Sequence, residues 1–272
     1  MLNEITTNDV TYMVSPNITA THAFTTRYGG DSSGIFESLN LAIRVGDKPE
    51  NVQTNYSRLC AALGITTDDI VCSRQVHGTH IRIVSHKDRC ELFLSDRGLN
   101  SKPHQADGLI TQTPGIALLV YAADCVPILL HDPVRKVIGA VHAGWRGTAS
   151  GIAGIAVQKM ESEFGCLAVD IKAAIGPCIS KCCFETDNDV ADALLSSTHG
   201  SFEKCVSTKY AAAHGTKFLI DLKKANCIAL KNAGVSDVTV SDECTSCLSD
   251  KYWSHRKTKG QRGSQAAIIV MR

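Results

Sequence analysis

Apolar positions recur at helical spacing from Pro49 to Leu63, where Val52, Tyr56, Leu59, Cys60 and Leu63 share one face. Pro49 suits a first helical turn and Gly64 a left-handed stop, so the spacing predicts a helix over 49–63. Three similar segments follow. Ile152, Ile155, Ala156, Met160 and Phe164 lead up to Gly165; Val190, Ala191, Leu194 and Leu195 follow Asp187, a candidate cap; Leu222, Ala225, Ile228 and Ala229 lie between Asp221 and Gly234. Short β-like runs separate these helices, at Ile70 to Ser73, Ile81 to Ser85, Ile116 to Tyr121, Val126 to His131, Val137 to Val141, Val169 to Ile175, Val238 to Ser241 and Ala266 to Met271. Three of them follow one another with only AADC and DPVRK between, which predicts neighbouring strands buried on both faces.

The elements do not alternate regularly, so the expectation is an α+β fold, with layered mixed sheets flanked by helices, rather than a doubly wound parallel sheet. No internal repeat or long Pro/Gly/Ser linker divides the chain, which reads as one domain over 1–272. Composition narrows the function classes. Lys plus Arg number 28 and Asp plus Glu 27, so no global field draws in nucleic acid or an anionic membrane, and any anion site is local. The opening MLNEITTNDV has no basic start and apolar run, and no uncharged apolar stretch reaches ~18 residues, so export and membrane insertion are not expected and the reading is cytoplasmic. The 12 cysteines then read mostly as reduced, buried thiols.

Imidazole and thiolate are the donors a zinc or copper site selects, and three of them stand at strand ends. His77 follows VCSRQV, Cys125 lies in the polar break between two apolar runs, and His142 ends VIGAV just before AGWRG. Two histidines and a cysteine with an open fourth position suit catalytic zinc. The bland alternatives are a hydrogen-bonded histidine and a buried thiol. Cys125 as nucleophile with His142 as base would use the same residues without metal. Asp124 reads either as the carboxylate orienting a ligand or serving as a base, or as a turn residue capping amides. Arg146 in GWRG and Arg27 in the loop TTRYGGDSSG are candidate anion partners, against surface ion pairing. A rival cluster joins Cys244-x-x-Cys247 with Cys178, Cys182 and Cys183 as a structural four-thiolate site, which a domain of this size does not need; a thioredoxin-type role for the pair lacks the strand-to-helix setting.

The strings TTRYGG, SLNLA, QVHG, ADGLIT, ADCVPILLHD, GAVHAGWRGT, IGPCI, FLIDL and SHR, in that order from about residue 23, resemble the laccase-domain family. Its members were described formerly as polyphenol oxidases and now as purine nucleoside phosphorylases, and some bacterial ones are regarded as peptidoglycan editing factors. The resemblance implies a four-layer α-β-β-α fold and a zinc or copper ion held by His77, Cys125 and His142. It implies phosphorolysis of adenosine, inosine and methylthioadenosine, with adenosine deamination beside it. A cell-wall precursor amidase and a copper-dependent phenol oxidase are the alternatives. Arg27, Arg146 and Arg256 would face phosphate, Asn40 of SLNLA and Gln75 of QVHG would be further substrate contacts, and Asp124, Cys125 and Arg146 would serve catalysis. The partners would be a purine nucleoside and phosphate, in a monomer or homodimer. The chain departs from the family where such proteins often read GPCIG and then aromatic-Glu-Val-Gly: here stands GPCISKCCFETDND, and the tail lacks the usual second arginine after SHR. Cys182 and Cys183 are therefore not expected to be catalytic.

Overall fold

The computed structural model describes residues 1–42, 45–89, 104–212 and 215–272, which leaves out Cys90 among the thiols. In chain order the strands are β1 (Asn3–Thr7), β2 (Val10–Val14), β3 (Thr21–Thr25), β4 (Ile70–Val71), β5 (Ile81–Ile83), β6 (Gly108–Thr111), β7 (Ala117–Ala122), β8 (Val126–Asp132), β9 (Val137–Ala143), β10 (Lys172–Ile175), β11 (Glu185–Thr186), β12 (Val206–Ala212), β13 (Gly215–Ile220), β14 (Asp237–Val240) and β15 (Gln265–Val270). Six α-helices accompany them among the described residues: α1 (Pro49–Leu63), α2 (Trp145–Ala149), α3 (Ile152–Phe164), α4 (Asn188–Leu195), α5 (Leu222–Asn232) and α6 (His255–Thr258).

Two six-stranded sheets carry the fold, in the orders β1-β2-β3-β15-β7-β4 and β14-β10-β8-β9-β6-β5, with a small third sheet β11-β13-β12. Successive side chains of a strand point to opposite faces, and the cores follow that period. On β7, Ala117 and Leu119 join a core with α1 residues Tyr56 and Leu59, while Leu118 and Val120 enter a second core. That second core lies between the large sheets: Leu129 of β8, Ile138 and Ala140 of β9 and Ile269 of β15 meet there. The alternate residues Val126, Ile128 and Leu130 of β8 pack in a third core with Ile152 and Met160 of α3 and Leu230 of α5. The order is therefore helix, sheet, sheet, helix, the four layers the resemblance implied, and strands buried on both faces read as continuous apolar runs for this reason.

The predicted helices stand where their periodicity placed them, α1 with the same ends, closed by Gly64 in a left-handed conformation (φ 66°). Asp221 caps α5 by accepting the Lys224 amide (3.0 Å), whereas Asp187 flanks α4 without a side-chain cap bond. The predicted strand runs stand with shifted ends: 169–175 shortens to Lys172–Ile175, whereas 126–131 and 137–141 extend to Val126–Asp132 and Val137–Ala143. Strands β1 to β3, β6, β11 to β13 and the short helices α2 and α6 were not predicted. β1 is an exposed edge with no apolar alternation, and β12 and β13 mix Lys and Thr into runs too polar to stand out.

Candidate metal centre and its cleft

The turn between β7 and β8 presents Cys125 through Asp124, which holds φ at 88°. A non-glycine residue held there costs on the order of 1 kcal/mol or more unless its surroundings fix it. Two bonds do so: the Thr245 hydroxyl donates to Asp124 Oδ1 (2.7 Å) and the Arg256 amide donates to Oδ2 (2.6 Å). The β8–β9 pairing sets Pro127 opposite His142 and Val126 opposite Ala143, so Cys125 comes beside Gly144. A Cβ on Gly144 would stand 2.8 Å from His77 Cδ2 and 3.4 Å from Cys125 Sγ, so a glycine is what lets these side chains close on one another.

His77 occupies a second left-handed position (φ 61°) in the loop after β4. The buried carboxylate of Asp107, just ahead of β6, holds that loop: its Oδ2 accepts the amides of Val76 (3.1 Å) and Gly78 (2.8 Å), and its Oδ1 accepts the amide of His77 (2.9 Å). Oδ1 also bonds His142 Nδ1 (2.9 Å), which leaves Nε2 as that ring's donor atom. One carboxylate thus positions both imidazoles.

Three donor atoms from His77, Cys125 and His142 lie within 4.8 Å of one another. His77 Nε2 is 3.9 Å from Cys125 Sγ, and the two imidazoles meet edge to face with centroids 4.9 Å apart. Around a tetrahedral zinc, sulfur and nitrogen ligands stand about 3.6 Å apart, so the side chains fit a metal with shifts of a few tenths of an ångström. Without metal the groups hold a proton between them. Burial opposes charge on both, yet His142 and His77 pull the Cys125 thiol down to about 6, while the Cys125 thiolate and Asp107 raise His142 to about 9. The result is a thiolate beside an imidazolium, whose proton a metal would replace.

A cleft of about 280 Å³ opens on this group. His77, Asp124 and Cys125 line it together with an apolar wall of Trp145, Ile179, Phe184 and Leu222 and the cationic or titratable side chains of His255, Arg256 and Arg262. The Arg256 guanidinium is fixed by the carbonyls of Cys183 (3.0 Å) and Glu185 (2.9 Å). Arg262 donates Nη1 to Gly263 O (2.9 Å) and Ser264 Oγ (2.7 Å), but its buried Nε–H has no hydrogen-bond partner. Burial disfavours its charge, and Asp124 and Cys125 support it. A larger cavity of about 470 Å³ lies between α3, α5 and the segment around His199; it brings together no thiol, carboxylate or arginine.

The remaining predicted residues do other work. Asp124, expected as an orienting carboxylate or base, accepts bonds from Thr245 and Arg256, and the carboxylate on the imidazole is Asp107. Arg146 is exposed, stacks over the Trp145 ring (4.1 Å) and does not line the cleft. Arg27 stacks over Trp253 (4.0 Å) and bonds Ser249 O (2.9 Å). Asn40 is fully buried, its Oδ1 accepting the amides of Ala42 (2.9 Å) and Ser264 (3.0 Å). Gln75 clamps both backbone groups of Tyr121, at 2.9 and 2.7 Å. Asp107, Arg262 and His255 were missed; an acid directly before the buried strand GLIT was the available signal for the first.

Residues 21–272 match the family described as multi-copper polyphenol oxidoreductase laccase. Purine nucleoside phosphorylase YlmD of Geobacillus stearothermophilus is 36% identical over 255 residues, 93% of this chain and 90% of that protein. A purine nucleoside phosphorylase of Deinococcus radiodurans is 37% identical over 255 residues, 94% of this chain and 90% of that protein. The crystal structure of the Bacillus licheniformis hypothetical protein YfiH is similar with a TM-score of 0.89 at 32% identity, covering 98% of this chain and 97% of that one. The crystal structure of YlmD from Geobacillus stearothermophilus gives 0.85 at 34% identity, over 99% and 100%. With nearly its whole length matched in sequence and structure, the chain belongs to the multi-copper polyphenol oxidoreductase laccase family.

Proposed function

We propose that the chain is a purine nucleoside phosphorylase acting on adenosine, inosine and methylthioadenosine, with one zinc held by His77, Cys125 and His142. The observation that carries this reading is the shared cleft: two arginines and a histidine face the same 280 Å³ space as the metal-ligand group and an apolar, partly aromatic wall. Guanidinium suits phosphate, and the unpartnered Nε–H of Arg262 is a donor ready for an anion oxygen. Trp145 and Phe184 suit the flat, apolar faces of a purine. The relatives named purine nucleoside phosphorylase support the same reading.

In the reaction, phosphate oxygen bonds to the anomeric carbon as the glycosidic C–N bond breaks, and the purine leaves with a proton on its ring nitrogen. Arg262 and Arg256 hold the phosphate. His255, exposed on the cleft, supplies the proton, while Asp124 is tied to Thr245 and Arg256. A bound divalent ion supplies Lewis acidity, which would also serve the hydrolytic loss of the adenosine amino group. One thiolate and two imidazoles suit a single zinc or copper; among the described residues no further imidazoles gather for the several coppers of a phenol oxidase.

A second reading has one observation in its favour: Cys125, His142 and Asp107 form a nucleophile, base and orienting-acid series that would serve amide hydrolysis without metal. Adenine release from adenosine separates the two. Release that requires phosphate and is lost in Cys125→Ala supports the phosphorylase; amide cleavage without phosphate, blocked by thiol alkylation, supports the amidase.

A further inference from the structure

A second group of donors lies behind the cleft wall. Cys182 and Cys183 precede β11, Cys244 and Cys247 follow β14, and their four sulfurs lie within 4.8 Å of one another. Cys178, which sequence spacing grouped with them, stays outside, its fully buried thiol donating to the Ile179 carbonyl. We propose that Cys182, Cys183, Cys244 and Cys247 bind a second, structural zinc ion as four thiolates.

Four sulfurs at ~2.3 Å from a tetrahedral zinc stand about 3.8 Å from one another. The observed separations are 3.7 Å for Cys182–Cys183, 3.6 Å for Cys182–Cys247 and 3.4 Å for Cys183–Cys247. A disulfide would require about 2.05 Å; these separations leave the sulfurs unbonded and fit a zinc ion among them, with Cys244 Sγ within 4.8 Å of the other three. Thiolates on a metal accept amide hydrogen bonds, and Cys244 Sγ accepts the Ser180 amide (3.3 Å) as well as bonds from the amides of Ser246 and Cys247. The two segments of the site are already tied by backbone, Thr245 N–H to Cys178 O (3.1 Å).

The ion would fasten the two segments that wall the cleft. Thr245, inside the Cys244–Cys247 turn, holds Asp124 beside Cys125, and Cys183 supplies one of the two carbonyls that fix Arg256. This second zinc would therefore set the position of Arg256, a consequence that rests on the phosphorylase reading; the metal site itself does not.

The test is zinc content of the purified full chain, prepared anaerobically. Wild type should carry two zinc ions, Cys125→Ser one, and the double variant Cys182→Ser with Cys247→Ser one. Cobalt loaded into Cys125→Ser should show an intense sulfur-to-cobalt charge-transfer band, which the first site, left without a thiolate in this variant, cannot give. Chelation of zinc-loaded Cys125→Ser should expose all four thiols to a thiol reagent without unfolding the central sheets. One zinc in wild type with none in Cys125→Ser would overturn the proposal, as would a disulfide among the four cysteines. Neither result depends on nucleoside cleavage.

Discussion

Replacing Asp107 with asparagine tests the claim that a single carboxylate builds the metal centre. The side chain is fully buried and accepts four N–H groups, two on each oxygen. Asparagine keeps the size and one acceptor but turns the other oxygen into a donor. In either orientation two N–H groups lose their acceptor: those of His77 and His142, or those of Val76 and Gly78. Hydrogen bonds to a charged group contribute about 1.5–3 kcal/mol each, so the variant should lose about 3 kcal/mol or more. That corresponds to a melting temperature lower by roughly 6–12 °C. Zinc affinity, read by competition with a chromophoric chelator, should fall about 10- to 100-fold, because the imidazoles lose their positioning partner. The pH dependence has a fixed sign. Burial raises the Asp107 carboxyl, but the His142 bond and the Gly78 and Val76 amides outweigh it and hold it below the usual carboxylate range. Its contribution is therefore present above the unfolded pKa and lost as pH falls, and the asparagine variant should lack that acid-side slope. Wild-type stability and zinc affinity in Asp107→Asn would refute this account.

Gly144→Ala should weaken zinc binding by about tenfold or more, since its Cβ would meet His77 Cδ2 at 2.8 Å; unchanged affinity in the chelator competition would show that the loop yields freely. In metal-free protein, alkylation of Cys125 by iodoacetamide, followed by peptide mass mapping, should show a midpoint near pH 6 and a plateau above it, because the thiolate is present above its pKa of about 6. A midpoint above pH 8 would contradict the thiolate–imidazolium pair. Arg262→Ala should raise the KM for phosphate at least tenfold, whereas Arg146→Ala, outside the cleft, should leave it unchanged; the reverse order would move the phosphate site to α2.

The central strands were legible because both faces of the large sheets are covered, which forces continuous apolar runs such as those of β8 and β9. α1 was legible because one face packs and one is wet. β1 and the β12–β13 pair depend on partners rather than on their own patterning, so no period marks them. At the site, His77, Cys125 and His142 could be picked out because each is a soft donor at a strand end, and the structure brings all three together. Asp124 neighbours Cys125 in sequence and so reads as the orienting acid, yet the carboxylate that reaches His142 comes from 35 residues away. Arg262 belongs to a glycine-flanked segment that leads into β15, whose place beside β7 no local pattern encodes. The four-cysteine cluster was legible as a grouping that also took in Cys178; which four thiols converge is decided by the β8–β10–β14 order of the second sheet, which brings together two halves 61 to 65 residues apart in sequence.

The measurement closest to the central claim is the phosphorus NMR spectrum of zinc-loaded wild type with adenosine and inorganic phosphate. The account predicts that the phosphate resonance declines as a ribose 1-phosphate resonance grows, in step with adenine release, and that neither change occurs with Cys125→Ala. Adenine released with no loss of inorganic phosphate, or no turnover of adenosine, inosine or methylthioadenosine by zinc-loaded enzyme, would contradict it.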